Sequence, residues 1–111
     1  MSQVYETTVL APFEIWEVML DNNSTIKFFE PLFVKLKILD RGTPGECFYA
    51  ECPELDISAV GVDLDELSSC LRSDIRMTWK RIVQKHDDDL APNDRAIKRR
   101  FLEIAGEDGD G

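Results

Sequence analysis

Asp63-Leu64-Asp65-Glu66-Leu67-Ser68-Ser69-Cys70-Leu71-Arg72-Ser73-Asp74-Ile75-Arg76-Met77-Thr78-Trp79-Lys80-Arg81-Ile82 is the stretch that decides the fold. Leu64, Leu67, Leu71, Ile75, Thr78 and Ile82 recur at three- and four-residue steps, with Trp79 flanking them. That spacing predicts one apolar face of a long amphipathic helix ending near His86. Asp63 is a natural N-cap, Glu66 stands three residues later in capping-box position, and Asp65 adds negative charge at the positive helix end. Gly61 precedes the cap, where the chain must turn sharply from a strand into the helix.

Upstream, the period changes from 3.6 to 2. Val34, Leu36 and Ile38 share one parity of Phe33–Leu39, and Lys35 and Lys37 share the other, which predicts a half-buried strand. Asp40-Arg41-Gly42-Thr43-Pro44-Gly45-Glu46 reads as a hairpin loop. Cys47–Cys52 returns as a second strand, Pro53 removes a ladder donor and ends it, and Ile57–Val60 forms a short third. The first 30 residues are less legible. Val4–Leu10 has strand composition, Phe13–Leu20 fits either strand or short helix, and Asp21-Asn22-Asn23-Ser24 is a turn. The expectation there is an extension packed on the main sheet.

Downstream, Asp87-Asp88-Asp89 should break the helix, since anions are unfavourable at its negative end. Pro92 and Asn93 announce a second helix with Ile97, Phe101, Leu102 and Ile104 as its stripe. Gly106 is a plausible cap and Glu107–Gly111 a disordered acidic tail. The expected architecture is α+β: an antiparallel sheet of three or more strands packed by one long amphipathic helix, plus a short C-terminal helix. One domain, residues 1–106, is expected, followed by the tail over 107–111.

Composition narrows the function classes. The chain has 111 residues, 43% hydrophobic and 32% charged, with a formal charge of −9. A chain of this size can bury a core without disulfides or metals. Such a charge repels phosphate backbones and favours basic partners. No apolar run approaches the roughly 20 residues that cross a bilayer, and the first ten residues lack the pattern of a signal peptide. A cytoplasmic location, with no membrane partner, is the expectation. The three cysteines, Cys47, Cys52 and Cys70, cannot close a disulfide framework, and with His86 as the single histidine they do not form a zinc motif. Reduced, mostly buried thiols are expected.

No catalytic constellation emerges. Asp40, Glu51, Asp56 and Asp63 fall near strand ends, but nothing selects them as a magnesium-binding nuclease set. Asp87, Asp88 and Asp89 are consecutive and lack EF-hand spacing. The expectation is no enzyme, no metal and no cofactor. Residues 70 to 104 hold nine basic and six acidic side chains, a local excess of three. Arg95, Lys98, Arg99 and Arg100 on the last helix form a candidate basic patch, although no helix-turn-helix or zinc-finger pattern accompanies it. A candidate partner surface comprises Lys35 and Lys37, on a strand edge suited to self-pairing, with Ile75, Trp79 and Val83 of the long helix.

The segment Phe48-Tyr49-Ala50-Glu51-Cys52-Pro53-Glu54-Leu55, followed by Gly61-Val62-Asp63-Leu64-Asp65-Glu66-Leu67, resembles the HicB-like antitoxin domain family. The family pattern is similar to Y-x-A-x-C-P-E-L, a short strand, then G-x-T-x-E-E-A opening a helix. The likeness covers about residues 32 to 85. Asp63 stands where threonine or serine is usual, which conserves the cap. Leu67 replaces a small alanine, so packing there differs. The resemblance implies a degenerate ribonuclease-H-like β-β-β-α domain without catalytic carboxylates, which in the family covers a small, basic ribonuclease toxin. The family's separate DNA-binding domain has no clear counterpart after residue 86. The expected function is thus non-enzymatic protein binding, as a homodimer, with a basic, toxin-like partner. The alternatives are a nucleic-acid-associated protein using the last helix, and a divergent nuclease.

Overall fold

The computed structural model describes residues 8–21 and 23–109. The strand expected at Phe33–Leu39 is the end of a much longer one. β2 runs Ser24–Leu39 and pairs antiparallel with β1, Thr8–Met19. The ambiguous Phe13–Leu20 segment is therefore strand as far as Met19, and the expected extension is part of the sheet. Two irregularities explain why period-2 counting fails there. One residue is inserted in β1 at Ala11-Pro12, where Leu10 pairs Leu36 and Phe13 pairs Val34. Farther along, Ile15 pairs Leu32 and Glu17 pairs Lys27, so β2 bulges out around Phe28–Pro31. Val4–Thr7 of the first expected strand lie outside the described residues.

β3 (Cys47–Cys52) and β4 (Ile57–Gly61) follow as antiparallel neighbours, giving the order β1-β2-β3-β4. Leu10, Leu36, Ala50 and Ala59 form one inward row across the four strands. The neighbouring row, Val9, Lys37, Tyr49 and Val60, faces the other way. The inward face is covered by α1, Leu64–Thr78, capped as expected: the Asp63 carboxylate accepts from the Glu66 amide at 2.8 Å. Glu66 reaches back to the Val62 amide at 3.4 Å. Leu67, Leu71 and Ile75 are buried, whereas Leu64 is exposed. Gly61 has a different reason from the sharp turn expected of it. A Cβ there would stand 2.6 Å from the Leu67 nitrogen and 2.9 Å from its Cα, so glycine lets the helix backbone approach the strand.

A π-helical turn, Trp79–Val83, continues α1, and the Gln84 amide donates to the Trp79 carbonyl at 3.1 Å. This wider turn puts both Trp79 and Ile82 in the interior. A 3-10 turn at Asp87–Asp89 then leads to α2, Pro92–Ile104, with proline in its first turn. The chain continues directly into β5, Ala105–Gly109, which pairs with Ser24–Phe28 of β2. The expected disordered tail is thus strand as far as Gly109. Three side-chain interactions hold it: Glu107 accepts from the Trp79 indole at 3.1 Å and from Gln84 at 3.2 Å, and Lys27 pairs with Asp108 at 2.9 Å.

The result is α+β, a five-stranded antiparallel sheet packed by the long helix and the shorter C-terminal one. It measures 58 × 30 × 21 Å. Its radius of gyration, 16.2 Å, exceeds the roughly 13 Å of a compact chain near this length. Among the described residues, no helix is long and apolar enough to cross a membrane.

Candidate functional site

β3 and β5 lie on the same side of β2, end to end. The last register pair with β3 is Lys35 with Glu51, and the last with β5 is Phe28 with Ala105. Phe29–Val34 therefore has no strand opposite it on that side. Pro31 sits in this gap and lacks an N–H, so a ladder would lose a donor there. The Cys52 thiol meets one of the gap's carbonyls, that of Phe33, at 3.9 Å.

The gap opens into a cavity of about 650 Å³. Its apolar lining is Phe29, Pro31, Phe33 and Ile104, and its polar lining is Glu30, Glu54 and Glu103. Phe29 and Phe33 are 65% and 52% exposed, unusual for aromatic rings on a strand. The walls come from three places: the β2 bulge, the β3–β4 turn and the last turn of α2. Arg100 fixes two of them together by donating to the Glu54 carbonyl at 3.2 Å. Three carboxylates beside two aromatic rings, with no cation in the lining, suit a cationic side chain. Carboxylates give guanidinium or ammonium groups charge-assisted hydrogen bonds, and ring faces attract the same cations. Among the described residues, no group of three or more His, Cys, Asp or Glu is arranged to hold a metal ion.

The sequence-predicted surfaces lie elsewhere. Lys35 and Lys37 are not on a sheet edge, because β1 and β3 flank that part of β2 on both sides. Their side chains belong to the open face of the sheet. Ile75 and Trp79 are core, 0% and 2% exposed, and Val83 is half-buried against it. Trp79 packs edge-on against Phe101 with ring centroids 5.5 Å apart, so the helix stripe is no partner surface. The basic patch is largely committed within the chain. Arg95 donates to the Asp87 carbonyl at 2.8 Å, Lys98 binds the Lys85 carbonyl and the Asp87 carboxylate, and Arg100 holds Glu54. Lys98, hydrogen-bonded to it, holds the Asp87 carboxyl below its usual range, with Arg95 and Arg99 adding to the effect. Arg99 is exposed beside them. Arg95 and Lys98 thus clamp the turn between the helices, while Arg100 ties α2 to the β3–β4 turn.

The thiols also divide. Cys52 is buried, and burial, then the charge of Glu54, pushes its thiol up to about 12. Cys47 is half-buried and Cys70 exposed, so one of the three departs from the expected burial. The cleft itself escaped sequence reasoning because its walls are far apart in the chain. Its one local signal is Phe28-Phe29-Glu30-Pro31, a proline inside an apolar strand that breaks the alternation. Nothing matches this chain in comparisons with family models, curated proteins and solved structures.

Proposed function

We propose that the chain is a non-enzymatic protein-binding module of HicB-like type that receives a basic partner and works as a homodimer. The observation that carries the reading is the gap in the β2 ladder, where Glu30, Glu54 and Glu103 surround two exposed phenylalanines. A basic protein gains twice there. The −9 chain steers it inward, and the cleft then desolvates an arginine or lysine between carboxylate and ring. A small basic ribonuclease of the toxin type fits this description. The order of β3, Pro53, β4, Gly61 and the Asp63-capped helix supports the family part of the reading.

Calorimetric titration with an arginine-rich peptide tests it. Binding should weaken about tenfold on Glu54→Lys or Glu103→Lys and fall with added salt. A protein that ignores the peptide but binds duplex RNA tightly would instead be the nucleic-acid-associated protein.

A further inference from the structure

All the helical packing falls on one face of the sheet. On the other, β1 to β4 present Val9, Lys37, Tyr49 and Val60 in one row, and Lys35, Glu51 and Ser58 in the next. Glu14 and Phe33 pair beyond them, and Trp16 completes the patch along β1. Val9 is 74% exposed, Trp16 58% and Val60 54%. An apolar patch shared by four strands is more than scattered surface hydrophobes and marks an interaction site.

We propose that this open face is the homodimer interface, with a second copy of the chain as its occupant. The inference rests on the homodimer part of the functional reading and names its surface. Charge selects the occupant. The chain as a whole carries −9, so two copies repel each other over most approaches. Around Lys37 this face is balanced, with Lys35 and Lys37 against Glu14 and Glu51, and toward β5 it continues with Glu17, Lys27 and Asp108. Lys35 is directly opposite Glu51 in register. Even so, neither Lys35 nor Lys37 is in an ion pair: among the described residues those are Lys98–Asp87, away from this face, and Lys27–Asp108, at its far end beside β5. A two-fold axis pairs residue i with j and j with i, so each copy's lysines can meet the other's carboxylates. A strongly basic partner is drawn to the acidic cleft instead, and a nucleic acid gains nothing from a neutral face.

The rival self-pairing route, edge to edge along β1, is obstructed. Pro12 and the residue inserted beside it interrupt that strand. At its far end Arg72 and Arg76 of α1 donate to the outward carbonyls of Glu17 and Met19, at 2.9 and 2.8 Å. Four strands about 4.8 Å apart, with β3 six and β4 five residues long, give a face of roughly 20 × 18 Å. That is smaller than the roughly 800 Å² per partner of a standard interface, so a weak, reversible dimer is expected.

Sedimentation equilibrium of the full chain at tens of micromolar tests the proposal. The expected result is a reversible dimer, weakened about tenfold or more by Lys35→Glu with Lys37→Glu, and likewise by Glu14→Lys with Glu51→Lys. An equimolar mixture of the two double variants should recover the dimer. Trp16→Ala, at an exposed position, should weaken it without changing the far-ultraviolet dichroism. A monomer at every concentration overturns both the surface and the homodimer reading. A dimer indifferent to all of these substitutions overturns the surface alone. Binding of the arginine-rich peptide should survive in both double variants, which separates this face from the cleft.

Discussion

At one end of β2, Lys35–Leu39 pairs with β3, the next strand in the chain. At the other end, Ser24–Phe28 pairs with β5, the last element of the protein. Both pairings are antiparallel and on the same side of the same strand, yet they rest on different kinds of order. The β3 end is closed by a short loop and by strands with alternating side chains. The β5 end requires most of the chain to be in place first, at the entropy cost of closing a long loop. Its sequence, Ala105-Gly106-Glu107-Asp108-Gly109, has poor strand propensity. Side-chain anchors supply what propensity does not, namely the bonds of Glu107 to Trp79 and Gln84. The cleft opens where these two kinds of order meet, in the stretch of β2 that neither partner reaches.

The largest expected effect falls at the locally ordered end. Gly61→Val places a Cβ within 3 Å of the α1 backbone at Leu67, where no side-chain rearrangement relieves it. The helix must move off β4, at a cost of about 3 kcal/mol. Urea unfolding followed by dichroism measures it. A loss below about 1 kcal/mol would show that α1 can shift freely, and would remove the rigidity that distinguishes this end of the sheet.

At the other end the effect should be smaller and local. Glu107→Ala leaves the Trp79 indole N–H, in a residue 2% exposed, without its acceptor. The expected cost is about 2 kcal/mol, because a buried donor then goes unsatisfied. Glu107→Gln keeps an acceptor oxygen and should retain most of the stability. Hydrogen exchange sharpens the comparison. In Glu107→Ala the amides of β5 and of Ser24–Phe28 should exchange faster, while those of β3 and β4 keep their protection. Uniform acceleration throughout would mean that the two ends form one cooperative unit.

What was legible in the sequence follows the same division. The β3–β4 hairpin, the Asp63 cap, the apolar stripe of α1 and the start of α2 at Pro92 each depend on residues within a few positions of one another. β1 is obscured by its own bulge, which places Leu10 and Phe13 on the same side despite their odd separation. β5 reads as a tail because Gly and acidic residues usually signal one. The cleft combines side chains from Phe29 to Ile104, and no short-range pattern encodes that meeting. The helix half of the partner surface is misplaced for a related reason: Trp79 on a helix stripe reads as core or as anchor, and the packing of Phe101 and Glu107 around it decides for core.

The smallest effect tests whether local signals carry energy or only pattern. Asp63 is exposed, so its contribution to stability comes from one hydrogen bond to the Glu66 amide and from its charge at the helix start. Asp63→Ala should cost about 1 kcal/mol, and Asp63→Ser, which keeps a capping oxygen, considerably less. The loss should appear at the first turn of α1, as faster exchange of the Glu66 and Leu67 amides, with β5 unaffected. Equal stability of the alanine and aspartate proteins would mean that burial of Leu67, Leu71 and Ile75 alone sets where α1 begins. The cap would then be a marker of the helix start and not one of its causes.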